Sequence, residues 1–247
     1  MNQRTIVIAA IILGISLVGG TFIVANTFYK VKGLSSVISV TGSSDQTITS
    51  DVVEWQSSFS RNVTPDQLSQ GYANMKSDLA IVENYLTSNG IATSDIEVDP
   101  IMVMPNYDNS GNYYGKGGGS SIIGYQLSEN VTVQSNDVTG VTKIAQGSGD
   151  IINQGVVFSS QPLQYFYSKL SELKLDMLAK ATQDAQARAS RIAENAGAKL
   201  GNLRSADMGV FQITPVNSTD LSDYGEYDTS SIQKQITAVV HASFSVN

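Results

Sequence analysis

The stretch VVEWQSSFSRNVTPDQLSQGYANMKSDLAIVENYLTSNG, Val52–Gly90, carries two hydrophobic periods back to back. Val53, Trp55, Ser57 and Phe59 fall on every second position, the period of a half-buried strand. Leu68, Tyr72, Met75, Leu79, Val82 and Leu86 then recur near every 3.6 residues, the period of an amphipathic helix. Between the two, Thr64 offers an N-cap oxygen, Pro65 takes the first helical position and Gln67 lies three residues after the cap. Asn89-Gly90 supplies a left-handed stop. A one-faced strand feeding a one-faced helix predicts a sheet layered against helices.

The pattern repeats outward from there. Val37–Gly42 alternates as a strand, and Ile96 to about Met104 reads as another. Residues 105–121, PNYDNSGNYYGKGGGSS, form a Gly, Asn and Tyr loop. Ile122 to Gln134 reads as its hairpin partner, with Tyr125 and Leu127 on one face and, after a phase slip, Val131 and Val133. Asp137 caps a short helix, and a strand near 155–160 follows. The longest helix spans Leu163 to Ala196 and stops at Gly197, with Phe166, Leu170, Leu173, Met177, Ala181, Ala185, Ile192 and Ala196 along one stripe. Strands at 200–208 and 232–246 close the chain, around a polar excursion at 215–231. The fold class is α+β: an N-terminal transmembrane helix, then a mixed, largely antiparallel sheet with helices packed on one face.

Ile6 to Ala25, IVIAAIILGISLVGGTFIVA, has no charge in twenty residues, about 30 Å of helix and one bilayer core. Ile6, Ile12, Leu17, Phe22 and Val24 are the expected lipid-facing anchor. The apolar core is longer than that of a cleaved signal peptide, and Ile23 stands where a cleavage site wants a small residue. An uncleaved signal anchor fits better. The amino terminus and Arg4 on one flank and Lys30 and Lys32 on the other nearly balance. The expected division is 1–32 as anchor and flank, and 33–247 as a single extracytoplasmic domain on a single-pass membrane protein.

The domain is acidic. Removing Arg4, Lys30 and Lys32 from the 15 Lys+Arg leaves 12 against 22 acids, a net of −10. Such a surface repels nucleic acid and anionic headgroups at a distance, so no nucleic-acid partner is expected. With no cysteine there is no disulfide, no lipid attachment through a thiol and no direct thiol peroxide chemistry. One histidine, His241, lies in the last strand; a sheet histidine explains it better than a Ser-His-Asp site, and a zinc site lacks ligands. Residues 110–117 miss the first Gly and the final Ser/Thr of a phosphate loop. Asp220, Asp223, Glu226 and Asp228 offer calcium ligands, but their spacing is not that of an EF-hand, so a solvated acidic loop is the default. The chain therefore carries no expected catalytic, cofactor-binding or metal residues, no cofactor, and no enzyme activity. Tyr107, Tyr113 and Tyr114, on a pliable loop, are the candidate contact for an envelope protein or glycan.

Three groups of residues resemble the SIMPL-domain family, which includes periplasmic oxidative-stress-defence and outer-membrane immunogenic proteins. They are Ile38-Ser39-Val40-Thr41-Gly42-Ser43 leading to Asp51; Gly124-Tyr125 with Asn130-Val131-Thr132-Val133 and Asp137; and Ala181, Asp184-Ala185, Arg188-Ala189, Ile192-Ala193, Gly197, Leu200-Gly201 and Leu203. The family usually has Pro before the first acid, where this chain has Ser50. The resemblance implies an exported, non-enzymatic protein that forms homo-oligomers, including ring- or channel-like ones, with a role in envelope integrity or stress protection. It supplies no catalytic residues. The alternative is a tethered module that binds a ligand or glycan through the Tyr-rich loop.

Overall fold

The computed structural model describes residues 3–33, 36–108, 121–219 and 222–247. Helix α1 (Gln3–Gly33) holds the apolar run, and Ile11–Phe28 is long and apolar enough to cross a membrane, with none of it buried in the protein. Ile12, Leu17, Phe22 and Val24 are all exposed on it; the Ile6 side chain lies outside the described residues.

The remaining elements are β1 (Val37–Thr49), β2 (Val52–Val63), α2 (Leu68–Ser88), β3 (Ile96–Val98), β4 (Met102–Tyr107), β5 (Ile122–Ser135), α3 (Val138–Gln146), α4 (Gly149–Asn153), β6 (Val157–Ser160), β7 (Gln164–Phe166), α5 (Leu170–Asn195), β8 (Leu200–Met208), β9 (Gln212–Pro215), β10 (Glu226–Tyr227) and β11 (Gln233–Val246). The class is α+β, and among the described residues every strand pair is antiparallel except β9 with β10. The strands divide between two sheets where one was expected. In the first, β11 is central, with β1 along one side and β8 then β9 along the other. In the second, β5 and β2 are central, flanked by β3 and β4 and by β6 and β7.

Each sheet has its own core. Trp55, Phe59, Leu127, Val131 and Val133 pack under Met75, Val82 and Leu86 of α2 and under α3 and α4. Ile236, Ala238, Val240, Ala242 and Phe244 of β11 pack under Leu173, Met177, Ala181, Ala185 and Ala189 of α5. The alanines let α5 sit close. At Gly42 a Cβ would fall inside the backbone of Ala181 and Ala185, so only glycine fits.

Several boundaries differ from the sequence reading. Pro65–Gln67 is a 3-10 turn ahead of α2, and Thr64 makes no side-chain cap bond. Gly71, not Tyr72, joins the buried stripe of α2, because Leu127 and Val63 press on that turn. The expected strand 96–104 breaks at Asp99-Pro100 into β3 and β4, since proline cannot extend the ladder. β5 has no phase slip: Glu129 itself occupies the buried face between Leu127 and Val131. The long helix begins at Leu170, and Phe166 belongs to β7, paired with Val52. Its buried stripe continues through Ala189 and Ala193, leaving Ile192 and Ala196 exposed. The Asp137 cap, accepting from Gly140 N at 2.9 Å, and the left-handed Gly90 and Gly197 are as expected.

Candidate functional site

The chain crosses between the two sheets twice, after β1 and after β7, and the two crossings lie side by side. Ser50 N donates to Ile232 O at 2.8 Å, Asp51 N to Phe166 O at 3.0 Å and Tyr165 N to Thr229 O at 2.8 Å. The Asp51 carboxylate accepts from Ser168 N at 2.7 Å and from Ser168 Oγ at 2.6 Å. Burial alone would raise its pKa, but the two Ser168 donors, its own amide and Lys169 together hold it below the usual carboxylate value. Beside these crossings Lys234 is buried, its Nζ bonded to Ser231 O at 2.5 Å and to Asp228 Oδ2 at 3.3 Å. Burial lowers the Lys234 pKa against the pull of Asp228. Asp228 also accepts from the amides and hydroxyls of Ser230 and Ser231, and despite burial these donors push its pKa far down. Asp228 is thus a folded ion pair at the joint and not a free calcium ligand. Among the described residues no three His, Cys, Asp or Glu converge as a metal site; Asp220 lies outside them.

The second cluster fastens α5 to the edge of the first sheet. Asp184 Oδ2 accepts from the Ser43 amide at 2.9 Å and from Arg188 Nε at 2.8 Å. The Ser43 amide is the first cause of the lowered Asp184 pKa. Gly42, Ser43, Asp184, Ala185 and Arg188 thus meet at one spot. These are among the residues quoted above for the family resemblance.

The family's sequence model, described as "SIMPL: Protein of unknown function (DUF541)", matches residues 38–244. The chain belongs to the SIMPL family. No curated protein matches it. Among solved structures, a putative aminohydrolase from methicillin-resistant Staphylococcus aureus aligns at 10% identity and a TM-score of 0.23. The alignment covers 60% of this chain and 38% of that one, a likeness too distant to carry an argument.

In this SIMPL chain His241 is exposed on the open face of the first sheet, its Nδ1 2.9 Å from Thr41 Oγ1. It belongs to a ladder of cross-strand polar pairs with Ser39–Ser243 and Asp45–Thr237. Asp207 stands opposite His241 in β8. On the open face of the second sheet, Gln56, Ser58, Asp99, Asn130, Thr132 and Gln161 line a polar hollow of about 330 Å³. Tyr107 is exposed at the end of β4, with Met102, Met104, Ile122 and Ile123 exposed along the same hairpin. Tyr113 and Tyr114, and the phosphate-loop-like 110–117, lie outside the described residues. The sequence reading missed the Asp51–Ser168 and Asp228–Lys234 bonds. Their signal was there in part: Asp51 opens the strand motif, and Lys234 interrupts an otherwise alternating strand.

Proposed function

We propose that this chain is a non-enzymatic envelope protein, held by α1 in the cell membrane with its C-terminal domain outside the cytoplasm, and that it assembles with copies of itself to support envelope integrity under stress. One observation carries the reading. β1 is thirteen residues long and, among the described residues, paired on one side only. The bonds Val246 N to Ser36 O and Ser50 N to Ile232 O fix the parity of the ladder. Even-numbered residues of β1 therefore bond β11, and odd-numbered ones from Val37 to Thr49 aim their amides and carbonyls outward. Asp184 takes the Ser43 amide near the middle. The rest of this edge holds one charged residue, Asp45, and no proline or lysine, the features that usually blunt an edge. Copies held in one membrane plane meet at raised effective concentration, which favours edge pairing.

The test is absolute mass by light scattering of the full chain in mild detergent. A discrete oligomer that falls to monomer on Ser39→Lys supports the reading. A monomer at all concentrations removes it.

A second reading, a tethered module that binds a protein or glycan, draws on the hairpin of Met102, Met104, Tyr107, Ile122 and Ile123. Its apolar side chains stand exposed, as contact residues do.

A further inference from the structure

The cations of the domain are unevenly placed. Arg188, Arg191, Lys199 and Arg204, four of its twelve, fall within seventeen residues that hold one acid, Glu194. The fold gathers this segment at one end of the first sheet. α5 runs antiparallel to β1: Lys180 Nζ reaches Gln46 Oε1 at 3.5 Å and Asp184 reaches Ser43, so the helix ends near the start of β1. Lys199 N and Asn247 N each bond the other's carbonyl at 3.0 Å, and Val246 N bonds Ser36 O at 3.1 Å. The start of β1, the end of β11, the start of β8 and the end of α5 therefore form one pole. Arg191, Lys199 and Arg204 are exposed there and form no ion pair among the described residues, whereas Arg188 is paired with Asp184. Val37, Ile192 and Leu203 are exposed beside them.

This pole is also where α1 attaches. Three residues separate Gly33 from Val37. At no more than about 3.5 Å per residue the chain spans at most about 14 Å there, less than two Debye lengths of about 8 Å at physiological salt. The membrane-spanning helix thus delivers a locally cationic end of a net-acidic domain to the headgroup layer, with Lys30 and Lys32 at the junction.

We propose that this pole is a docking surface for the anionic lipid headgroups of the membrane in which α1 is anchored, so that the domain lies against the bilayer in a fixed orientation. Arg191, Lys199 and Arg204 contact the headgroups, and Val37, Ile192 and Leu203 reach the interface between them. The acidic remainder of the domain is repelled by the same surface, and this sets the direction of the tilt. The proposal rests on α1 as an anchor but not on which side of the membrane the domain occupies.

The chain has no cysteine, so single labels can be introduced cleanly. The full chain is placed in nanodiscs of neutral phosphatidylcholine, or of the same lipid with phosphatidylglycerol, each carrying a headgroup nitroxide. A fluorophore goes on Asn202→Cys at the pole or on Gln233→Cys at the far end of the ladder, about 40 Å away at 3.3 Å per strand residue. At Asn202, quenching should be at least about twofold stronger in anionic discs and fall to the neutral value near 0.5 M salt, where the Debye length is about 4 Å. Arg191→Glu/Lys199→Glu/Arg204→Glu should abolish the difference, while Gln233 stays indifferent. The salt series on the otherwise unchanged chain tests the same point without that variant. Equal quenching of Asn202 in both discs overturns this proposal and leaves the anchor standing. A chain that is not retained in discs overturns both.

Discussion

The Ser43 amide donates to Asp184 Oδ2 at 2.9 Å, so a helix side chain fills a hydrogen-bonding site on the open edge of the strand it covers. One residue away, Gly42 lies against the Ala181 and Ala185 backbone. The polar bond and the close approach fix α5 on β1 in both translation and rotation. The residues that carry the family resemblance here therefore hold a helix on an edge, which is a structural role.

Replacing Gly42 by Ala puts a methyl where backbone already stands. Relief requires α5 to lift or slide. Gly42→Ala is expected to cost about 1–3 kcal/mol or more. Chemical denaturation of the full chain in detergent measures it, and a loss below half a kilocalorie would show that the contact is easily relaxed.

Glu129 should make the fold more stable in mild acid than at neutrality, with the opposite sign to the other perturbed acids. Its Oε2 is buried without a hydrogen-bond partner among the described residues, and burial first, then Glu83, raises its pKa above 4.5. A carboxyl with a raised folded pKa binds its proton more tightly in the folded state. Its neutral form stabilises fully below about the unfolded value, and that contribution disappears as pH rises through the folded one. Asp51, Asp184 and Asp228 have lowered values, so they stabilise above 3.8 and lose that contribution as pH falls. Glu129→Gln should raise the melting temperature at pH 7 and flatten the decline above pH 4.5. An unchanged profile would remove Glu129 as its source.

Lys234→Met leaves Asp228 with only the donors of Ser230 and Ser231. The expected cost is about 2 kcal/mol, less than for a bare buried charge because those donors remain. The acid limb due to Asp228 should also become shallower. Asp228→Asn/Lys234→Met should recover part of the loss in urea unfolding at pH 7; a double variant no better than the single would mean the two groups are not coupled.

Local periodicity made many single elements legible. Trp55 and Phe59 alternate into a core, and Ala181 and Ala185 mark a close-packed helix face. It failed where a residue's chemistry contradicts its place. An acid at Glu129 on a buried face reads as a phase slip. Tyr165-Phe166 reads as helix because Phe166 lies in phase with Leu170 and Leu173, although the tertiary partner Val52 makes it strand. The division into two sheets depends on β1 finding β11 almost 200 residues later, and no local pattern encodes that. Net charge, summed over the domain, also concealed the Arg191, Lys199 and Arg204 pole.

The ladder between β1 and β11 starts at the end where the chain arrives from α1, Ser36 against Val246. A pull on α1 away from the domain therefore loads one pair at a time from that end, as a zipper is opened, and does not shear the thirteen-residue ladder at once. Peeling would run from Val37 to Thr41, lifting Ile38 and Val40 off the α5 core, and meet its firmest hold at Gly42 and Ser43, where the α5 backbone and Asp184 clamp β1. The fold thus has a weaker first stage and a firmer stop along that line of pull, with the second sheet lying beyond the stop.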